Sequence, residues 1–268
     1  MILPAHWPLG FLVGLLAIAT YVLSAALAQR LAPGQLRLAI RLSWALHGVA
    51  LALGLAADPM RFGFAPALSA TLWLVLAVFL TEREPMQDSG LWRWLALLCA
   101  AALLLALWFP GSALPALRSA WLPLHWALGF AAYGLFGAAL AHAWLMAALE
   151  RRMRAGAPPA TGMPLLQHER LAFRFVGAGF ALLSATLVAG WLFGEQLHGP
   201  GSKIRLDHKI VFSHLSWLTF AALLAGRMRY GWRGRSAVRV LYAGCGLLLL
   251  AYMGSRFVLE VVLGRVAS

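Results

Sequence analysis

Eight apolar stretches, each close to the length that crosses a hydrocarbon core of about 30 Å as a helix, follow one another along this chain. They lie at roughly 9–29, 36–56, 64–81, 91–109, 121–149, 169–192, 208–228 and 236–263. Backbone N–H and C=O groups in lipid must be satisfied within the segment that carries them, so the stretches are predicted to be helices and not strands. The intervals hold turn chemistry: Pro33-Gly34, Asp58-Pro59, Pro110-Gly111, Pro158-Pro159 and Gly199-Pro200-Gly201. Charged residues make up 12% of the 268, against about 25% in an ordinary soluble domain, and the mean hydropathy is +0.78. The expectation is an all-α polytopic membrane protein with eight transmembrane helices in a single transmembrane domain, 1–268.

Basic residues give the orientation. The loops after the first, third, fifth and seventh spans, with the adjoining helix ends, carry 15 of the 22, including Arg151, Arg152, Arg154, Arg227, Arg229, Arg233 and Arg235. Those loops are predicted to be cytoplasmic, which puts both termini on the periplasmic side of a bacterial inner membrane. The formal charge of +13 has the same origin. It is matched by anionic lipid headgroups and implies no nucleic-acid partner. Ala26-Leu27-Ala28 resembles a signal-peptide cleavage site, but the apolar run from Leu9 exceeds the usual 7–15 residues and no basic residue precedes it, so a retained helix is expected.

Several functions are excluded by what the chain lacks. Cys99 and Cys245 stand alone inside spans, with no C-x-x-C for thiol exchange and no C-x-x-C-H for covalent haem attachment. Carboxylates are sparse on the outer side, where Glu195, Asp207 and Glu260 fall, and there is no nucleophile motif, phosphate-binding glycine loop or H-E-x-x-H. Hydrolase and ATPase chemistry has no support. A channel or secondary transporter would call for paired charges and broken helices, which the spans do not offer.

The histidines carry the remaining signal. His125 follows Pro123 at the outer end of span 5, flanked by Trp121 and Trp126; His208 opens span 7, and His214 lies six residues on. Imidazole is costly in hydrocarbon, so a cluster at one depth requires partners, of which water, backbone, a metal or haem iron are candidates. Six helical residues separate His208 from His214 by about 9 Å and about 120°, which sets them against binding one iron together. Trp217 shares the face of His214 and either lines a porphyrin or fills the core. His47, near mid-span 2 with Trp44 one turn away, calls for either an interhelical hydrogen bond or a ligand. His142, near the cytoplasmic end of span 5, reads as structural, and His6, His168 and His198 as solvated in the tail and loops.

Longer motifs resolve some of this. Span 5, LHWALGFAAYGLFGAALAHAWLMAALERR, opens with an outer histidine and carries Tyr133; ERLAFRFVGAGFALLSATLVAGWLFGE follows. DHKIVFSHLSWLTFA then supplies Asp207, Lys209 and Trp217, and GWRGR at 231–235 precedes Tyr252 and Gly254. Over 121–263 this pattern resembles the cytochrome c assembly superfamily (CcsA/HemX/YpjD-like) of haem-handling integral membrane proteins. His125 and Tyr133 match the family's histidine and tyrosine positions, Asp207 and Lys209 its D-P-K-E motif, and His47 its intramembrane histidine. There are departures. His208 stands where the family has proline, the loop Gly194 to Leu206 contains no tryptophan, and no second outer histidine follows the last helix. The chain looks like the compact branch of the family.

The resemblance implies a haem-binding or haem-handling inner-membrane protein. It implies a b-type, non-covalent haem held axially by His125 and His208 near the periplasmic face, a deeper waystation at His47 and His214 with Trp217 as wall, and cations such as Lys209 or Lys203 near the propionates. Haem, membrane lipids and other membrane or cytochrome assembly proteins are the implied partners, and no bond-making step is expected. The alternative is a cofactor-free accessory or regulatory protein of the same fold that partners a transporter or biosynthetic enzyme through its arginine-rich loops.

Overall fold

A computed structural model of the protein describes residues 9–57, 61–82, 89–113, 121–156, 163–193, 208–254 and 257. Among the described residues eight helices are long and apolar enough to cross a membrane. They are α1 (Leu9–Leu27), α2 (Pro33–Leu55), α3 (Phe64–Thr81), α4 (Ser89–Trp108), α5 (Trp121–Arg154), α6 (Leu165–Leu192), α7 (His208–Tyr230) and α8 (Gly234–Leu249), the last continuing as a π-helical turn, Leu250–Gly254. A two-residue antiparallel ladder joins β1 (Arg61–Phe62) to β2 (Ser112–Ala113). The chain is a polytopic, all-α membrane protein, as its apolar runs predict.

Helix ends follow local chemistry. Pro33 opens α2 at a position where a missing N–H costs nothing, and the Gln35 side chain accepts from the Ala32 N–H at 3.1 Å. The Arg37 guanidinium donates to the carbonyls of Leu80 and Glu82, at 2.9 and 3.1 Å, and so satisfies the exposed C-terminal end of α3. Two helices outrun the sequence-based spans by about a turn or more. α5 continues to Arg154, and α6 starts at Leu165 and not at 169. Hydropathy detects only what lies in lipid, whereas at 1.5 Å per residue the 34 residues of α5 reach about 50 Å, well past the hydrocarbon.

The helices pack as two compact units, Met1–Ala116 with Leu259–Ser268, and Leu117–Val258. In the first unit α1 packs on α2 and α4, and α3 packs on α4 and α2, which closes a ring of four. Its interior is polar at one level. His47 of α2 lies 2.8 Å from Ser69 of α3 and 3.4 Å from the Tyr21 hydroxyl of α1, while Cys99 of α4 donates to the Leu72 carbonyl at 3.6 Å. Beside this cluster Trp44 and Trp73 stack with ring centroids 4.9 Å apart, and each indole N–H donates to the other residue's carbonyl.

The second unit repeats the ring order with α5, α6, α7 and α8, but its centre is apolar. Phe136 of α5 stacks on Phe220 of α7 at 3.9 Å between centroids, and both rings are essentially inaccessible. α8 reaches this stack only because residue 244 is glycine: a Cβ there would sit 2.7 Å from the Phe220 ring. Gly179 of α6 approaches Phe136 in the same way. The turn from α7 to α8 depends on Gly231 and Gly234, with φ of 64° and 58°, values that L side chains rarely adopt.

Candidate functional site

The two ends of the second unit differ in chemistry. α5 and α7 begin at one end and finish at the other, where their last turns carry Arg151, Arg152, Arg154, Arg227 and Arg229. The start of α5 and of α7, with the close of α6, forms the histidine end.

His125 stands in the first turns of α5 and is half-buried. It precedes Phe136 by eleven residues, about three whole turns, so its side chain points within about 20° of the central stack and some 16 Å from it along the axis. Its ring lies against Gly190 of α6, where a Cβ would stand 3.4 Å from the imidazole Cε1. Lys209 precedes Phe220 by the same eleven residues on α7, so it too takes the inward phase, half-buried. His208, one position earlier, is turned about 100° from it and is exposed.

His214 is exposed, and its Nδ1–H donates to the Ile210 carbonyl at 2.8 Å. A carbonyl only accepts, so Nδ1 carries the proton and the lone pair of the neutral ring sits on Nε2. Trp217 belongs to the helix packing. Its indole N–H donates to the Ser184 hydroxyl at 2.8 Å and its ring stacks on Phe180 at 5.3 Å, both on α6. Asp207 and Lys203 lie outside the described residues.

His47 sits in the first unit, fully buried, with Nε2 at Ser69 and Nδ1 facing the Tyr21 hydroxyl. A ligand bound at either nitrogen would have to displace one of these partners. The structure therefore gives His47 interhelical hydrogen bonds, one of the two readings its position in the sequence leaves open.

One expectation is corrected. His168, read from sequence as a solvated loop residue, is helical and 4% exposed, with its Nδ1 3.0 Å from Nδ1 of the fully buried His142. One ring must donate and the other accept, so the two take complementary tautomers. Hydropathy placed the start of α6 too late to show this. The pairing arises from the packing of α5 on α6, which sequence periodicity alone does not register. Next to them Glu169 accepts from Arg227 at 2.8 Å, and that guanidinium lies 4.4 Å over the Phe173 ring.

Among the described residues the carboxylates of the second unit, Glu150 and Glu169, lie at the arginine end, away from His125. What the described residues of the histidine end offer is imidazoles and an ammonium, groups suited to holding a ligand. The donor set fits haem in kind: a half-buried inward imidazole with a glycine beside it, a second imidazole at a facing helix start, and an ammonium to pair with a propionate.

Residues 34–263 match the profile of a family described as cytochrome C assembly protein. The match begins well upstream of residue 121, where the motif resemblance starts, and takes in α2, α3 and α4. The chain is 33% identical over 147 residues to an uncharacterized 28.8 kDa protein of Azospirillum brasilense, a stretch that covers 54% of each. It is 37% identical over 99 residues to the inner membrane protein YpjD of Escherichia coli, covering 37% of this chain and 36% of the relative. It is 31% identical over 86 residues to the cytochrome c biogenesis protein CcsA of Synechococcus elongatus, covering 32% of this chain and 26% of the relative. The matching stretches thus span about half the length of these curated relatives, or less. No solved structure matches the chain.

Proposed function

The chain belongs to the cytochrome c assembly protein family, and from that premise we propose that it binds or passes haem in a bacterial inner membrane, where YpjD resides. The observation that supports this best is the inward, half-buried placement of His125 beside Gly190 at the mouth of the α5–α8 ring. His125, held by its helix, would be the imidazole that binds the iron. His208, exposed at the start of α7, would supply the second imidazole. Lys209 pairs with a propionate on the inward phase, and apolar helix faces exclude water from the ring edges. Bound there, the iron porphyrin supplies cargo for cytochrome maturation. The chain's own residues bind and orient it and move no proton. His214, with Nε2 unprotonated and outward, offers a further imidazole on α7, six residues beyond His208. The two termini and this site face the periplasm.

The test is the haem content of the full chain purified in mild detergent, measured as the pyridine haemochrome before and after haemin addition. Haem near one per chain, lost in His125→Ala and reduced in His208→Ala, supports the proposal; a chain that takes up none refutes it. One observation favours a second reading, that of a cofactor-free accessory protein. His47, His142 and His168 are all buried with hydrogen bonds inside the fold, so this chain demonstrably spends imidazoles on helix packing. That reading predicts no haem uptake and a protein partner at the arginine-rich end.

A further inference from the structure

At the arginine end of the second unit, α5 and α8 part to leave a cleft of about 480 Å³. Two stripes line it. On α8, residues 235, 238 and 239 share one face, and on α5 residues 146, 147, 150 and 151 do the same. The floor is apolar, made by Met146, Ala147 and Val238, while Arg151, Arg235 and Arg239 stand at the mouth, all three exposed. One carboxylate shares the cleft. Glu150 is already engaged, with Arg154 at 3.0 Å and Arg235 at 3.9 Å. Among the described residues Arg151 and Arg239 have no salt-bridge partner.

We propose that this cleft is a binding site for an anionic phospholipid, its phosphate held by Arg151 and Arg239 and the upper part of one acyl chain laid on Met146, Ala147 and Val238. The two chemistries occur in the order a lipid presents them. The guanidiniums cluster near helix ends, where the apolar runs give way to charge, and on α5 the apolar floor lies on the side of Arg151 nearer the middle of the helix. A guanidinium offers paired N–H donors that match a phosphate, so the mouth selects charge while the floor selects a chain. The volume lies within the range of about 300–1,000 Å³ usual for small-molecule sites, enough for a headgroup and the start of one chain but not for a whole phospholipid. Basic pockets between transmembrane helices are a recurrent form of lipid recognition. Two charges left unpaired beside an apolar groove fit no soluble anion as well, because a free anion would leave the groove unfilled.

The experiment uses the full chain in mild non-ionic detergent and native mass spectrometry. The chain is titrated separately with phosphatidylglycerol, with phosphatidylcholine of the same acyl chains, and with inorganic phosphate. Phosphatidylglycerol is expected to bind at least about tenfold more tightly than phosphatidylcholine, a preference that two charge-assisted contacts readily supply. Arg151→Gln with Arg239→Gln should abolish the preference. Arg229→Gln with Arg233→Gln removes the same charge from exposed positions outside the cleft and should leave it intact. Val238→Trp, which fills the groove and keeps every arginine, should weaken both lipids. Equal binding of the two lipids, or equal loss in the two arginine pairs, overturns the proposal. So does phosphate binding as tightly as phosphatidylglycerol, because that outcome makes the site one for free anions.

Discussion

Tyr133 shows how a single hydroxyl organises the second unit. It donates to the Leu248 carbonyl at 2.6 Å, two residues before α8 widens into its π-helical turn. Widening shifts backbone acceptors by one residue, so a carbonyl there needs an outside donor. Tyr133→Phe is expected to cost about 1 kcal/mol, the net worth of one hydrogen bond, and to lower the melting temperature in detergent slightly while leaving the helix content unchanged. Gly244→Ala should do more harm, because its methyl group would press on a phenyl ring that is itself stacked. An overpacking cost of about 1–3 kcal/mol is expected, read as a larger drop in the same melt. The positions of Tyr133 and His125 were legible because motif spacing marks them. Their partners were not. Leu248 lies 115 residues from Tyr133, and His142 meets His168 only once a hairpin has folded.

At the scale of elements, α6 and α7 are tied at the arginine end by Glu169 and Arg227, a pair whose side chains are 9% and 23% exposed. Removing one partner strands the other charge, whereas removing both replaces an ion pair by apolar contact. Arg227→Leu is therefore expected to destabilise the protein by about 3 kcal/mol or more, and Glu169→Leu added to it should restore much of the loss. A double variant as unstable as the single one would show that Arg227 acts through its other contacts, the Trp232 carbonyl and the Phe173 ring. All eight elements were legible, since apolar length alone marks a membrane helix. Their watery extensions were not. The last turns of α5 and the first of α6 lie where hydropathy falls, and both are held by pairings such as Glu150 with Arg154 and Glu169 with Arg227.

The whole molecule consists of two four-helix rings with the same neighbour order and different interiors, one polar around His47 and one closed by an aromatic stack. No sequence repeat announces that shared order, because it resides in which helices touch and not in which residues they carry. The asymmetry of basic residues predicts that both termini are periplasmic. A membrane-impermeant maleimide applied to intact cells should label Leu9→Cys and spare Ala155→Cys; the native cysteines, Cys99 and Cys245, are buried. The reverse pattern would invert the topology and move His125 to the cytoplasmic face. The stacked Phe136 and Phe220 close the middle of the second ring, so a haem held by His125 must lie between that stack and the histidine end. The most direct measurement is the visible absorption spectrum of the full chain loaded with haemin, compared with that of His125→Ala. The account predicts a sharp, saturable Soret band at one haem per chain that the substitution removes while the helical circular dichroism persists. A chain that stays colourless, or one whose band is unchanged without the imidazole at 125, would contradict it.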